Sequence, residues 1–439
     1  MTHISRRDFV KTTAAAAAIP TIAGAAFART RRSRDTLRVG LIGCGGRGTG
    51  AAAQALGADP DAVLWSMADA WAPKVSASLD NLREAVEPDG PEAGASSRLE
   101  VPESRQFAGL DAYKQVIDSG VDVVLLATPP AFRPAHLRAA VEAGKHIFSE
   151  KPVAVDGPGV RSAMESARMA KEKGLSLRSG FCWRFNGQVR EAMDKVAAGQ
   201  IGDIRAIYTT YNAGGWVEPR VRQPDEATYH WMVRNWHYFY SISGDHIVEQ
   251  AIHAIDWMNW LMGDKPPIKC HAVGGRQCRP MEPEYGNVWD HFSAVFEYPE
   301  GVRGFHMCRH WPNTPFDNTA KVMGADGVLN MSPWDGRHTI TGKRPWKGEA
   351  RDNETGKMYQ TEHNELFAAI RSGKHVNDGD YLASSTLLAI MARQAAYTGQ
   401  DVSWEQALNL QDDLNPQPWD FDQDREIRPM PVPGRTKLV

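Results

Sequence analysis

From Leu37 to Ile42 the chain is apolar at most positions, then breaks into Gly43-Cys44-Gly45-Gly46-Arg47-Gly48 and resumes as the alanine-rich run Ala51 to Ala58. A short apolar run closed by glycine predicts a buried strand, and the alanine run predicts a helix. A second apolar run, Val63 to Ala68, ends on Asp69. The pattern then predicts a helix over Asp111 to Ser119, a strand over Val121 to Ala127, a turn at Thr128-Pro129-Pro130, a helix over Pro134 to Ala143 and a strand over His146 to Ser149. Strands that are nearly continuous in Val, Ile and Leu and alternate with helices require a parallel, doubly wound sheet covered on both faces. This α/β unit is expected over residues 35–154. The segment Glu87 to Ser97, rich in Pro, Gly and Glu, predicts an insertion loop on it.

Beyond Ala154 the pattern changes. Helices over Gly159 to Gly174 and Gln188 to Ala198 flank a short strand, Leu175 to Gly180. Alternating runs follow at Ile204 to Tyr211, Phe292 to Tyr298, Val302 to Cys308 and Ala320 to Met323, the period-two signature of a large, mostly antiparallel sheet. The second domain is therefore α+β, over residues 155–410. Its late helices, about Glu362 to Ser372 and Tyr381 to Thr398, are candidates to pack back on the first domain. Residues 411–439, rich in Pro and Asp, predict an extended tail that wraps the surface.

Composition narrows the partners. With 50 basic and 53 acidic residues the net charge is −3, which gives no electrostatic reason to expect nucleic acid or an anionic membrane surface. No run approaches the roughly 18 apolar residues of a membrane span. Five cysteines at scattered spacings indicate neither a disulfide framework nor a paired-cysteine zinc site. At the N-terminus, Ser5-Arg6-Arg7-Asp8-Phe9-Val10-Lys11 has the twin-arginine export form, followed by the apolar run Ala14 to Ile22 and the small-residue signal Ala26-Phe27-Ala28. Residues 1–34 are expected to be signal and linker, with the mature protein in the periplasm.

Strand, glycine turn and helix in succession suggest a Rossmann dinucleotide site. Gly43 permits the tight turn, Gly45 lets backbone approach a pyrophosphate, and Gly48 lets helix and strand pack closely; Cys44, Gly46 and Arg47 complete the contact segment. Asp69, 21 residues after Gly48, can accept from both ribose hydroxyls and would repel a 2′-phosphate, which favours NAD over NADP. Thr128 and Pro129 follow a strand at the carboxyl edge, where open parallel sheets bind ligands. The next strand runs into Glu150-Lys151-Pro152, setting Lys151 beside the cofactor with a pKa open to lowering by desolvation and a neighbouring cation.

The glycine turn, Thr128-Pro129-Pro130, and Ala143-Gly144-Lys145-His146 leading into Glu150-Lys151-Pro152 resemble the glucose-fructose oxidoreductase, inositol dehydrogenase and rhizopine-catabolism (Gfo/Idh/MocA) family over nearly the whole mature chain. The resemblance implies an NAD(P)-dependent oxidoreductase with Lys151 catalytic. It also implies an Asp-x-x-x-His helix motif, which aligns with Glu249 to His253, giving His253 the catalytic histidine position with glutamate replacing aspartate. Four-residue spacing puts Glu249 and His253 on one helical face, so the carboxylate is expected to orient the imidazole.

His246, Glu249 and His253 also share that face, the basis of a metal-site alternative to the metal-free reading. Glu150, Trp183 and Arg184 are expected at the cofactor, while Arg234, Trp236, Tyr238, His246, Asp256 and His291 are candidate carbohydrate contacts, since aromatic faces with polar tips suit a sugar ring. The expected reaction is oxidation of a sugar, glycoside or cyclitol CH–OH group. Export adds a constraint. No soluble NAD pool waits outside the inner membrane, so the NAD is expected to be tightly held and internally recycled. A redox-neutral glycosidase, lyase or epimerase cycle and a non-catalytic, dinucleotide-binding sugar sensor are the alternatives, and a homo-oligomer is expected.

Overall fold

The structure, a computed structural model, describes residues 36–86, 98–334, 336–349 and 354–439. The export segment, at 1–34, and the expected insertion loop, Glu87 to Ser97, lie outside the described residues. Among the described residues fifteen strands form two sheets. The first is wholly parallel and takes six: β1 (Leu37–Ile42), β2 (Ala62–Asp69), β3 (Gln106–Ala108), β4 (Val123–Leu126), β5 (His146–Ser149) and β6 (Leu177–Ser179), in the order β3-β2-β1-β4-β5-β6. The order reverses between β1 and β4, so a crevice opens at their carboxyl ends, where the glycine turn and Thr128 both lie.

Helices 46–58, 112–118, 133–142 and 157–172 fall within a residue or two of expectation, except that the first begins at Gly46, inside the glycine turn, rather than at Ala51. One boundary differs. β6 pairs in register with β5, so the first sheet extends past the expected end at Ala154 to Ser179. At three residues, β6 carries too little pattern to announce which sheet it joins.

The second sheet has nine strands: β7 (Ile204–Ala213), β8 (Lys269–Gly275), β9 (His291–Glu297), β10 (Arg303–His310), β11 (Ala320–Gly324), β12 (Gly327–Met331), β13 (Thr339–Gly342), β14 (Trp346–Lys347) and β15 (Val402–Ser403), ordered β14-β13-β12-β11-β7-β10-β9-β8-β15. All its pairs are antiparallel except β7 with β10.

Two long helices join the domains. Glu354–Ser372 packs on the helix that follows the glycine turn, and Gly379–Thr398 runs between helix Gly157–Glu172 and β8. The latter is buried around nearly its whole circumference, as its lack of a polar face demands. The tail crosses both domains. Trp419 packs edge-on against Phe132 at 4.7 Å, Phe421 stacks on Trp71 at 5.6 Å, and Asp424 accepts from the Thr228 amide and hydroxyl. Among the described residues no helix is long and apolar enough to cross a membrane.

Candidate active site

The glycine turn is built as a cradle. Gly43 has φ +100°, in the left-handed region that favours glycine, and a Cβ there would lie 2.6 Å from the Ala127 carbonyl carbon. A Cβ on Gly48 would lie 1.8 Å from the Gly43 carbonyl oxygen, which explains the third glycine. Around Gly45 and Gly46 the same test meets open space. Gly45 caps helix Gly46–Ala58 without a side-chain hydrogen bond, and the first turn carries no acidic residue. The positive end of the helix dipole thus faces a volume an anion can enter. Asp69 accepts from the Cys44 amide at 2.8 Å and the Trp71 amide at 3.2 Å. A carboxylate has lone pairs beyond these two for ribose hydroxyls. The residues present fit a dinucleotide.

Two expected cofactor contacts take a different part. Arg47 donates to Glu150, to Gln54 at 2.8 Å and to Glu362 at 2.8 Å, with its guanidinium 4.9 Å from the Tyr359 ring centroid. Arg47 and Glu150 therefore spend their charges on each other. The pair ties the glycine turn to the Glu150-Lys151-Pro152 segment and, through Glu362, to the late helix. Thr128 bonds the His136 ring at 3.2 Å.

Burial, with help from Arg133, pushes the His136 pKa down to about 3, and burial with His246 nearby does the same to His306. The unfolded chain protonates such imidazoles below about pH 6.5, whereas the folded protein resists until far lower pH. Folding therefore releases protons in this window, and stability falls as the pH drops from about 6.5 toward 3. Thermal midpoints measured from pH 8 to pH 4 should fall steadily below about pH 6; a flat or rising midpoint would contradict this assignment of neutral histidines.

Lys151 meets the second domain directly. Its Nζ donates to the Glu249 carbonyl at 2.6 Å and lies 3.8 Å from the Glu249 carboxylate. The expected pairing of Glu249 with His253 on one helical face does not form. Helix His246–Glu249 ends at Gln250, and a new helix, Ile252–Leu261, starts after Ala251. The break turns Glu249 to Lys151 and leaves His253 Nδ1 buried without a hydrogen-bond partner. His253 instead packs on Trp183, ring centroids 5.0 Å apart. Burial and the nearby Lys151 hold its pKa well below the ordinary value, so the imidazole is neutral. The same break dissolves the metal alternative: His246 pairs with Asp245 at 3.1 Å, Glu249 with Lys151, and no group of three ligand-type residues among those described is placed to hold a metal.

Other candidates separate into two sets. Tyr238 and His246 line a cavity that also touches Glu249, Trp216, Val217, His237, Gln250, Arg279 and His310. Trp236 supports it by stacking on His237 at 3.7 Å. Arg184 and Asp256, by contrast, form a buried bidentate ion pair at 2.9 Å, joined by Ser385 and Asp264, which ties the 3₁₀ turn Cys182–Phe185 to helices Ile252–Leu261 and Gly379–Thr398. Neither is at the cofactor or the cavity. Arg234 is held by Glu226 at 2.6 and 2.7 Å, and His291 by Asp290 at 2.8 Å, both outside the cavity lining. Sequence reasoning missed His237, Gln250, Arg279 and His310. His237 adjoined two named candidates and could have been found. Arg279 and His310 come from the loop after β8 and the end of β10, far apart in sequence, with no local motif.

Residues 37–181 match the oxidoreductase family with the NAD-binding Rossmann fold, and residues 189–330 match the Gfo/Idh/MocA C-terminal domain. The chain belongs to the Gfo/Idh/MocA family. It is 27% identical over 286 residues to mouse trans-1,2-dihydrobenzene-1,2-diol dehydrogenase, covering 63% of this chain and 77% of the mouse one. It is also 27% identical over 181 residues to Escherichia coli 2,7-anhydro-N-acetylneuraminate hydratase, covering 41% of this chain and 44% of the relative. Among solved structures, levoglucosan dehydrogenase in complex with NADH and levoglucosan has the same fold, with a TM-score of 0.66 at 20% identity over 84% of this chain and 99% of that one. This Gfo/Idh/MocA protein is an NAD-dependent oxidoreductase of the family's type.

Proposed function

We propose that the protein oxidises a CH–OH group of a sugar, glycoside or cyclitol, with NAD as a tightly held group. One observation carries the reading: Lys151, at the carboxyl edge of the parallel sheet, is fixed at 2.6 Å by the carbonyl of Glu249, a residue of the cavity wall. The lysine that follows β5 is therefore tied to a residue of the cavity wall. NAD, when bound by the glycine turn and Asp69, supplies the hydride acceptor. Lys151 Nζ then holds the oxygen of the reacting carbinol and stabilises negative charge as it develops there. The neutral imidazole of His253 is the base to which the hydroxyl proton passes, directly or through Lys151. Trp183, packed against His253, keeps water from that ring. Asp69 favours NAD over NADP by charge repulsion.

Export through the twin-arginine segment at Ser5 to Lys11 is part of this proposal. It requires that the reduced cofactor be reoxidised in place, by a second substrate or within one catalytic cycle. Likeness to a hydratase favours the second route, in which transient oxidation acidifies the neighbouring C–H and permits elimination.

The test is to purify the exported protein, identify the released nucleotide, and follow absorbance in the reduced-nicotinamide band while sugars, glycosides and cyclitols are added. The expected result is NAD(H) without NADP(H), and a change in redox state with at least one compound. Protein free of nicotinamide, or a cofactor inert to every compound, sinks the enzymatic proposal; the inert case leaves a sugar sensor. Net NADH accumulation points to a dehydrogenase, and a transient that returns to baseline points to the redox-neutral cycle.

A further inference from the structure

Arg279 is 5% exposed, yet it lines the cavity whose wall includes Glu249, and among the described residues it meets no carboxylate directly. It lies 4.9 Å from the Trp216 ring centroid and 5.2 Å from that of Tyr238. Its Nε has no hydrogen-bond partner. The carboxylates whose charge it feels are those of Asp245 and Asp290, and both are committed elsewhere. Asp245 accepts from the amides of His246 and Trp289 and from the Tyr397 hydroxyl; Asp290 accepts from the amides of Gln277, Cys278 and Arg279 and from the Trp311 indole, and pairs with His291. Arg178 and Arg184, buried to similar degree, each meet a carboxylate directly, and Arg133 and Arg393 donate to the backbone carbonyls of Pro152 and Gly244. A desolvated guanidinium lacking such a contact is costly unless a ligand completes it.

We propose that the substrate of this site is a sugar acid whose carboxylate is bound by Arg279, while its reacting CH–OH faces Lys151. The guanidinium fork matches a carboxylate bidentately. His246 Nε2, likewise buried and unpartnered, and Gln250 and His310, bonded to each other at 2.9 Å, provide hydrogen-bonding groups between the two ends of the cavity. A phosphate would bring about two negative charges to a single arginine that already has Asp245 and Asp290 nearby, so one negative charge is the better match.

The inference rests on the oxidoreductase reading for the role of Lys151, but its test is binding. Calorimetry on the NAD-loaded, full protein compares glucuronate, galacturonate and mannuronate with glucose, galactose and mannose. At least one uronate should bind about tenfold or more tightly than its neutral counterpart. Arg279→Gln should abolish that preference and Arg279→Lys retain part of it, with nucleotide content and thermal midpoint reporting the fold. Should the glutamine variant not fold, the lysine variant and the wild-type comparison decide. Equal binding of acids and neutral sugars, no binding by any uronate, or a preference that survives Arg279→Gln overturns the proposal. A uronate that binds without changing the cofactor's redox state sinks the oxidoreductase reading and leaves Arg279 standing. Reduction by neutral sugars alone does the reverse.

Discussion

Replacing Lys151 with alanine is expected to lower kcat about 10²- to 10⁴-fold while leaving the nucleotide content of the purified protein unchanged. The side chain is 13% exposed and anchored by the carbonyl of Glu249, a residue of the cavity wall, so its ammonium is held in place before substrate arrives. Nothing in the glycine turn depends on it: the turn is held by Gly43, Gly48 and Asp69, and the adjoining Glu150 by Arg47. Binding and chemistry should therefore separate. The measurement is single-turnover reduction of the bound cofactor with the best compound from the panel, alongside the amount of nucleotide released on denaturation. Lys151→Arg should not restore the rate, because a planar guanidinium cannot replace a compact ammonium at 2.6 Å from that carbonyl. A variant that keeps rates within about threefold of the parent would remove Lys151 from the chemistry and with it the proposed mechanism.

Asp256→Ala should instead act on stability. Asp256 is 1% exposed and accepts a bidentate contact from Arg184 together with the Ser385 hydroxyl. Removing one partner of a buried pair strands the other charge, at a cost of about 3 to 5 kcal/mol. With an unfolding entropy of about 2 cal/mol/K per residue, a chain of this size should lose roughly 4 to 6 °C in thermal midpoint. Asp264→Ala offers the contrast. Its carboxylate is 40% exposed and bonds the same arginine, so its loss should cost under about 1 kcal/mol. In Asp256→Ala, the fraction that remains folded should turn over within about twofold of the parent. An unchanged midpoint with lost turnover would return Asp256 to the substrate site, where its position in the motif had suggested it belonged.

How much of this was legible beforehand depended on the range of the interactions. The parallel sheet, the glycine turn and Asp69 are local: a strand buried on both faces must be apolar throughout, a turn at φ +100° selects glycine, and an acid at the end of the next strand falls beside the turn. Lys151 was legible for the same reason, since it follows directly on a strand that ends at the sheet's carboxyl edge. Glu249 and His253 were found but misjudged. Their four-residue spacing implies a shared face only if the helix continues, and Gln250 interrupts it.

Arg47, Glu150, Arg184 and Asp256 read as site residues because their charges lie next to motifs. Which charge neutralises which was decided by helices Glu354–Ser372 and Gly379–Thr398, which bring Glu362 and Ser385 from more than a hundred residues away. The cavity is the extreme case. Its wall draws on the segment after β7, the helical stretch before Glu249, the loop after β8 and the end of β10, and no period or motif links Trp216, His237, Arg279 and His310. By itself, then, the sequence determined the cofactor cradle and the lysine at its edge, because backbone sterics and strand burial act over a few residues. Only the tertiary structure decided what faces that lysine, because the opposing wall is assembled by packing between elements that share no local pattern.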